Sequence, residues 1–287
     1  MRKPDPLTIR PMSRRQLDHG VDWAAAEGWN PGLHDADSFH ATDPEGFLVG
    51  SLGDEPVGMI SAVKYGADFG FLGFYIVRPD YRGRGYGLAL WNAAMHALKG
   101  RLVGLDGVVA QQGNYRKSGF ALAYNNVRYQ GVLKAGDRGW QQDPNIIPLD
   151  RLSFDTLRHY DAPFFPCERR RFLKNWITQT GSRSLAYVDQ GQLVGYGVIR
   201  PCRAGYKIGP LFADKAHVAD RLLQALAANL PKDSVVQLDL PEVNAAAVAL
   251  ARAHGMEPVF ETARMYTGTA PVLAVDRMFG ITTFELG

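Results

Sequence analysis

The sequence predicts an α/β chain of the α+β kind, built as two tandem domains, each a mixed, mostly antiparallel twisted sheet flanked by helices. Three observations carry this. Strand-like runs follow one another at residues 46–52, 57–65 and 69–77 with tight turns between them. The third run leads through a basic, glycine-rich turn straight into a helix. The landmarks of this first half then recur later in the chain at one constant offset, the mark of an internal duplication.

Residues 7–11 read as an opening strand, and Ser13, a good N-cap type, starts a helix that runs to about Glu27. The stretch 27–37 is rich in turn formers yet holds Trp29, His34 and several carboxylates, a mixture common in loops that bind. The three runs that follow are joined by Gly53-Asp54-Glu55-Pro56 and Gly66-Ala67-Asp68 and read as an antiparallel meander. Phe71, Phe74, Tyr75, Ile76 and Val77 suit a buried strand, and Pro79 cannot continue its ladder. From Leu88 the apolar residues Leu88, Trp91, Met95 and Leu98 fall on one helical stripe that stops at Gly100. Residues 101–105 give a further strand, and this order suits a mixed sheet with helices on both faces.

Between strand and helix lies Arg82-Gly83-Arg84-Gly85-Tyr86-Gly87. Glycines at alternate positions let a ligand approach the backbone, and the first-turn N–H groups of the helix have no partners within it, which makes an anion site. Arg82 and Arg84 add positive charge beside the helix dipole, so a diphosphate fits better than a single carboxylate. The spacing matches neither G-x-x-x-x-G-K-[ST] nor G-x-G-x-x-G. With the meander before it, this argues against a dinucleotide-binding oxidoreductase.

The run Val77-Arg78-Pro79-Asp80-Tyr81-Arg82-Gly83-Arg84-Gly85-Tyr86-Gly87 resembles the V-x-P-x-x-[QR]-x-x-G-x-[GA] signature of the GNAT superfamily of acetyl-CoA-dependent N-acetyltransferases. Tyr115-Arg116-Lys117-Ser118-Gly119-Phe120 resembles the family's Y-x-x-x-G-F element. Both lie in the first half, in the family's order. The resemblance implies acetyl-CoA as cosubstrate and no metal. It implies that the coenzyme pyrophosphate sits on Arg82, Gly83, Arg84, Gly85, Tyr86 and Gly87, with the pantetheine arm along the strand edge at Ile76 and Val77. A backbone N–H at Ile76 or its neighbour would meet the thioester carbonyl, and Tyr115 would lie near the departing sulfur. Asn114 either holds the pantetheine arm or is a turn residue. In the family the connection between the first two helices walls the acceptor pocket. Glu27, Trp29, Asn30, His34 and Asp35 are therefore candidates for gripping the amine, with Glu27 and Asp35 as candidate bases. The alternative is that the aspartates cap helices and His34 is a surface residue. One position departs from the pattern: the asparagine usual before the tyrosine is replaced by Gly107 and its neighbours. With residues 108–114 glycine-interrupted, the helix before Tyr115 is expected to be short or distorted.

Residues 135–145 read as a linker between a catalytic, acetyl-CoA-binding domain at 1–134 and a second domain at 146–287. The duplication rests on Gly73 and Gly209, Gly119 and Gly255, and Arg128 and Arg264: the separations 209 − 73, 255 − 119 and 264 − 128 are all 136. At that offset Arg82, Gly83, Arg84, Gly85 and Gly87 become Val218, Ala219, Asp220, Arg221 and Leu223, and Tyr115 becomes Ala251. The second copy is thus expected to be a degenerate GNAT-like domain without a coenzyme site, supporting the first. Arg169, Arg170 and Arg171 read as a charged, solvated helix face. Residues 279–284 read as a last strand with no assigned place.

The chain has 287 residues, 46% of them hydrophobic, enough for a sizeable core, and a net charge of +3, too small to announce a nucleic-acid binder. No signal-like or membrane-spanning apolar run stands out, and Cys167 and Cys202 form no disulfide or metal pattern, so a cytoplasmic location is expected. Cys202 beside Arg200 and Arg203 reads as a buried or idle thiol rather than an activated one. The reading that follows is an N-acetyltransferase acting in a ternary complex on a primary amine, with a small cationic molecule as acceptor. The alternative is a non-catalytic acetyl-CoA sensor or interaction protein, against which the presence of Tyr115 argues. Oligomeric state is not legible.

Overall fold

A computed structural model of the chain describes residues 6–133 and 143–287. The first half runs β1 (Leu7–Pro11), α1 (Arg14–Ala26), α2 (Asp35–Thr42), β2 (Phe47–Leu52), β3 (Glu55–Tyr65), β4 (Phe69–Val77), α3 (Tyr86–Ala97), β5 (Leu102–Val108), α4 (Gln112–Lys117) and β6 (Ala121–Val132). The second half runs β7 (Ile146–Pro148), α5 (Phe154–Asp161), α6 (Arg170–Trp176), β8 (Arg183–Asp189), β9 (Gln192–Pro201), β10 (Tyr206–Ala213), α7 (Ala216–Ala227), β11 (Val235–Pro241), α8 (Ala245–Ala253), β12 (Glu257–Tyr266) and β13 (Met278–Gly280). Most of the expected linker, residues 135–142, lies outside the described residues.

Local signals act as anticipated. Ser13 and Gln16 form a reciprocal capping box on α1, which buries Leu17, Gly20, Val21 and Ala24 on one face. The meander is antiparallel throughout, with β1 against β2, β2 against β3 and β3 against β4. The segment before Tyr115 is a 3-10 turn, Val109–Gln111, leading into the six residues of α4, the short helix that its glycine predicts.

Strand pairing joins the halves more deeply than the sequence suggests. All thirteen strands among the described residues form one sheet in the order β1-β2-β3-β4-β5-β12-β6-β11-β10-β9-β8-β7, with β13 attached to β10. Each half therefore donates its long late strand to the other. β12 inserts between β5 and β6, and β6 lies between β12 and β11. The pairs Arg264↔Tyr124 and Phe260↔Arg128 are interchanged by the 136-residue offset, so a pseudo-two-fold axis passes between β6 and β12. Two bidentate ion pairs mark that symmetry. Arg128 Nε and Nη2 donate to Asp239 at 2.6 and 2.8 Å, and Arg264 Nε and Nη2 donate to Asp106 at 2.8 and 2.6 Å. In each, the arginine belongs to one half and the aspartate to the other. Buried polar pairs of this kind specify register rather than add much net stability.

A second junction packs α2 against α6. Phe39 stacks on Trp176 at 5.9 Å, and the Trp176 indole N–H donates to Gly209 O at 2.9 Å. Phe39 and Trp176 are fully buried there, and such burial contributes roughly 1.5–3 kcal/mol for a large apolar side chain. Two expectations change. Arg169 is not on a solvated face: it is 4% exposed, pairs with Asp161 at 2.7 Å and donates to Thr282 and Gly287 O. The last strand is only three residues long, and residues 281–287 continue as an irregular but buried tail.

Candidate active site

β4 and β5 pair in parallel from Phe69↔Leu102 to Leu72↔Leu105 and then part. Beyond that point β4 keeps β3 on one side, through Met59↔Ile76 and Gly58↔Val77, and offers a free edge on the other. The Arg78 N–H donates to Val57 O at 3.0 Å. Successive peptides of a strand point to opposite edges, so the N–H groups of Val77 and Tyr75 face the opening while that of Ile76 faces β3. The edge donors are thus the neighbours of Ile76. Phe74, buried against Phe39 and Phe47, has φ of +46°, a conformation costing roughly 1–3 kcal/mol for a non-glycine residue and typical of functional sites.

The gap between the two strands is a cavity of about 430 Å³. Residues 73–77 form one wall and residues 105–108 the other. Arg82 and Glu27 border it, as do Trp91 and Tyr115, and Phe260, Thr262, Phe284 and Glu285 reach it from the second half.

The basic turn has the geometry that an anion requires. Gly83 and Gly85 have φ of +74° and +84°, open to glycine at little cost. A Cβ on Gly87 would lie 2.7 Å from the Tyr75 hydroxyl. Gly85 caps α3 with no side-chain acceptor, so the first N–H groups of that twelve-residue helix are left for a ligand. Arg82 Nε donates to Val77 O at 2.8 Å and its Nη2 pairs with Glu27, while Arg84 lies over the Tyr81 ring at 5.5 Å. Tyr86 opens the helix.

Tyr115 projects into the same cavity. Its ring stacks on Trp91 at 5.7 Å, and a Cβ on Gly107 would fall 2.1 Å from its Cε2. The glycine that departs from the family pattern therefore makes room for the tyrosine. Burial, reinforced by Tyr75, pushes the Tyr115 hydroxyl up to about 12, so it is protonated at neutral pH and can donate a hydrogen bond or a proton.

Of the acceptor candidates, Glu27 and Trp29 line the cavity. Asn30, His34 and Asp35 do not. Asn30 is spent on the junction between halves, donating to Ala204 O at 2.9 Å and Gln237 Oε1 at 3.0 Å. His34 precedes α2 as its N-cap residue. Asp35 is fully buried, accepting from Arg200 Nε at 2.9 Å and from the Gly32 N–H at 2.8 Å. A carboxylate so engaged has no reach into the cavity, so neither amine binding nor base catalysis fits it. Asn114 is exposed and donates to Gln111 Oε1 at 2.7 Å; Gln111 is the one of the pair that lines the cavity. The Cys202 thiol is buried, and burial pushes it up against the opposing pull of Lys207 and Arg200, which leaves it inert.

Sequence reasoning missed Asp106, Thr262, Phe284 and Glu285. Asp106 left a faint signal, an aspartate in an apolar strand facing one of the two arginines that mark the repeat. The tail residues left none, because only the fold brings them 200 residues back along the chain.

In the second copy the equivalent gap is filled. β10 and β11 pair from Tyr206↔Val236 to Ile208↔Leu238 and part, and β13 then pairs with β10 at Leu211 and Phe212. The Ile281 N–H closes the far side by donating to Asp239 O at 2.7 Å. Val218, Ala219, Leu222 and Leu223 of α7 are buried, and Asp220 bonds His254 Nε2 at 2.6 Å. Among the described residues no group of three His, Cys, Asp or Glu side chains stands ready for a metal, and no helix is long and apolar enough to cross a membrane.

Comparison with known proteins agrees with this architecture. The Acetyltransferase (GNAT) family matches residues 14–120, and a second profile, the Acetyltransferase (GNAT) domain, matches residues 157–280. Holothin acyltransferase from Pseudoalteromonas sp. (strain SANK 73390) is 31% identical over 280 residues, covering 98% of this chain and 94% of the relative. A solved structure from Pyrococcus horikoshii superposes with a TM-score of 0.82 at 25% identity, covering 98% and 96% of the two chains. A tandem GNAT protein from the clavulanic acid biosynthesis pathway shares the fold with a TM-score of 0.62 at 15% identity, covering 93% and 100%. With two GNAT domains in one chain and near full-length likeness to an acyltransferase, the protein belongs to the GNAT family and is a tandem GNAT acyltransferase.

Proposed function

We propose that the protein transfers an acetyl group from acetyl-CoA to a primary amine of a small molecule by direct attack in a ternary complex, with one coenzyme site, in the first half. The carrying observation is the parting of β4 from β5, which leaves a free strand edge at residues 73–77 between the basic turn and Tyr115. The arrangement suits a coenzyme laid with its pyrophosphate on Arg82, Arg84 and the first turn of α3. Its pantetheine arm would pair with the edge as an added strand does. The outward N–H of Tyr75 or Val77 would then meet the thioester carbonyl and stabilise the oxyanion.

In the transfer itself the amine nitrogen attacks the thioester carbon, the C–N bond forms and the C–S bond breaks. The leaving sulfur takes the Tyr115 phenolic proton, and tyrosine recovers one from the nitrogen as the amide forms. The proton that the ammonium sheds before attack goes to Glu27 or to water. The cavity of about 430 Å³, which the pantetheine arm would share, leaves room for a small acceptor rather than for a protein segment.

The test is calorimetric titration with acetyl-CoA, repeated on the Arg82→Ala, Arg84→Ala double variant, followed by thiol release across an amine panel. One site lost in the double variant, with turnover slowed by Tyr115→Phe, supports the reading. Absence of coenzyme binding sinks it.

A further inference from the structure

The tail after β13 links the two equivalent clefts. A Cβ on Gly209 would lie 2.5 Å from Thr282 O, and one on Gly73, its counterpart in the first half, would lie 2.2 Å from Glu285 O. The backbone thus leaves the filled cleft of the second half, crosses the junction and presses on β4 at the mouth of the open one. The Tyr65 hydroxyl, donating to Leu286 O at 3.0 Å, fixes it there. Only glycine at position 73 permits that approach.

This route sets Phe284 and Glu285 in the cavity wall. Three carboxylates line the cavity. Glu27 is held by Arg82, and Asp106 is held by Arg264 and Asn126. Glu285, 4% exposed, accepts a hydrogen bond from the Thr283 hydroxyl and has no direct ion-pair contact among the described residues, although the buried cations Arg128, Arg200 and Lys207 stand near enough to feel its charge. In the same cavity lining, Thr262 has a buried hydroxyl with no partner among the described residues. Trp29, Phe260 and Phe284 supply an aromatic surround, in which the Arg128 guanidinium already lies over the Phe260 and Phe284 rings at 5.7 and 5.0 Å. A buried carboxylate with a free oxygen and an unpaired hydroxyl on an aromatic-lined wall together make a receptor for an amino group on a flat apolar body.

We propose that Glu285 is the residue that binds the acceptor's amino group, so that the second copy, which lacks the basic turn, contributes the acceptor-recognition carboxylate to the site of the first. The proposal rests on reading the cavity as an acyl-acceptor site. It gives the tail a function separate from sealing the second cleft.

The test compares tryptamine with tryptophol, which carries a hydroxyl on the same indole body, by calorimetry on the full chain saturated with CoA. Wild type should bind tryptamine at least about tenfold more tightly than tryptophol, the preference expected of one charge-assisted hydrogen bond. Glu285→Gln keeps the shape and the Thr283 contact and should erase the preference. Glu285→Asp should keep part of it. Unchanged acetyl-CoA affinity in both variants would show that the fold is intact. Equal binding of the two probes by wild type, or a preference that survives Glu285→Gln, overturns the proposal. Failure of the acyltransfer reading looks different: acetyl-CoA then does not bind wild type, whatever the tryptamine preference.

Discussion

Replacing Gly107 by alanine would place a methyl carbon 2.1 Å from Cε2, 2.8 Å from Cδ2 and 2.9 Å from Cζ of Tyr115. The ring must retreat by about 1.3 Å to regain an ordinary contact of 3.4 Å. It cannot do so within its present slot. Trp91 stacks against it at 5.7 Å and is itself backed by Phe120 at 5.8 Å and Tyr75 at 5.6 Å. Relief comes by swinging the ring toward the cavity, which would carry the hydroxyl off the line to the departing sulfur that the proposed mechanism requires. A displacement near 1 Å at a reacting centre costs on the order of 100-fold in rate, and overpacking costs about 1–3 kcal/mol of stability. Gly107→Ala should therefore lower kcat about 100-fold while acetyl-CoA binding, which the proposal centres on the basic turn, stays within about twofold. Steady-state thiol release gives the first quantity and calorimetry the second. Adding Tyr115→Phe to Gly107→Ala should cost little more, because both changes remove the same hydroxyl. A kcat within about threefold of wild type, or full additivity of the two substitutions, would refute the role given to Tyr115.

Three other outcomes follow from the same geometry. Arg82→Ala should weaken acetyl-CoA binding about 10- to 100-fold, the worth of a charged hydrogen bond, and flatten its salt dependence; titration at two ionic strengths checks both. Asp239→Asn should lower unfolding free energy in urea by about 3–5 kcal/mol, since Arg128 would lose its buried partner. Burial pushes Asp239 up, but the charge and hydrogen bonds of Arg128 outweigh this and hold it below the usual carboxylate range. A carboxylate lowered by folding stabilises above its unfolded value and stops doing so as pH falls through its folded value. The gap between wild type and Asp239→Asn should then close below about pH 4. Because Tyr115 stays protonated up to about 12, kcat should show no falling limb between about pH 7 and 10 that depends on this residue. Such a limb centred near 10, absent from Tyr115→Phe, would contradict the account.

The elements that the sequence makes legible are those whose signals are local. Ser13 with Gln16 announces α1, the turns at residues 53–56 and 66–68 announce the meander, and Gly83 and Gly85 with their arginines announce an anion-binding helix start. Tyr115 is legible as a motif, although the reason for Gly107 appears only when the ring is seen lying across it. Asp35 shows the opposite case. A loop aspartate near Trp29 looks available for chemistry, yet Arg200, 165 residues away, takes it. Nothing in the nearby sequence signals that partner.

By itself, then, the sequence determined the two-copy plan, the family, the basic turn and the tyrosine, because each depends on residues a few positions apart and on backbone preferences that short segments express alone. The tertiary structure decided what depends on pairing at long range. It exchanged β6 and β12 between the halves, closed the second cleft with β13, committed Asp35 and Asn30 to the junction, and carried Glu285 to Gly73. Hydrogen-bonded edges must find partners and buried charges must find counter-charges. Which partner satisfies them is settled only when the whole sheet assembles.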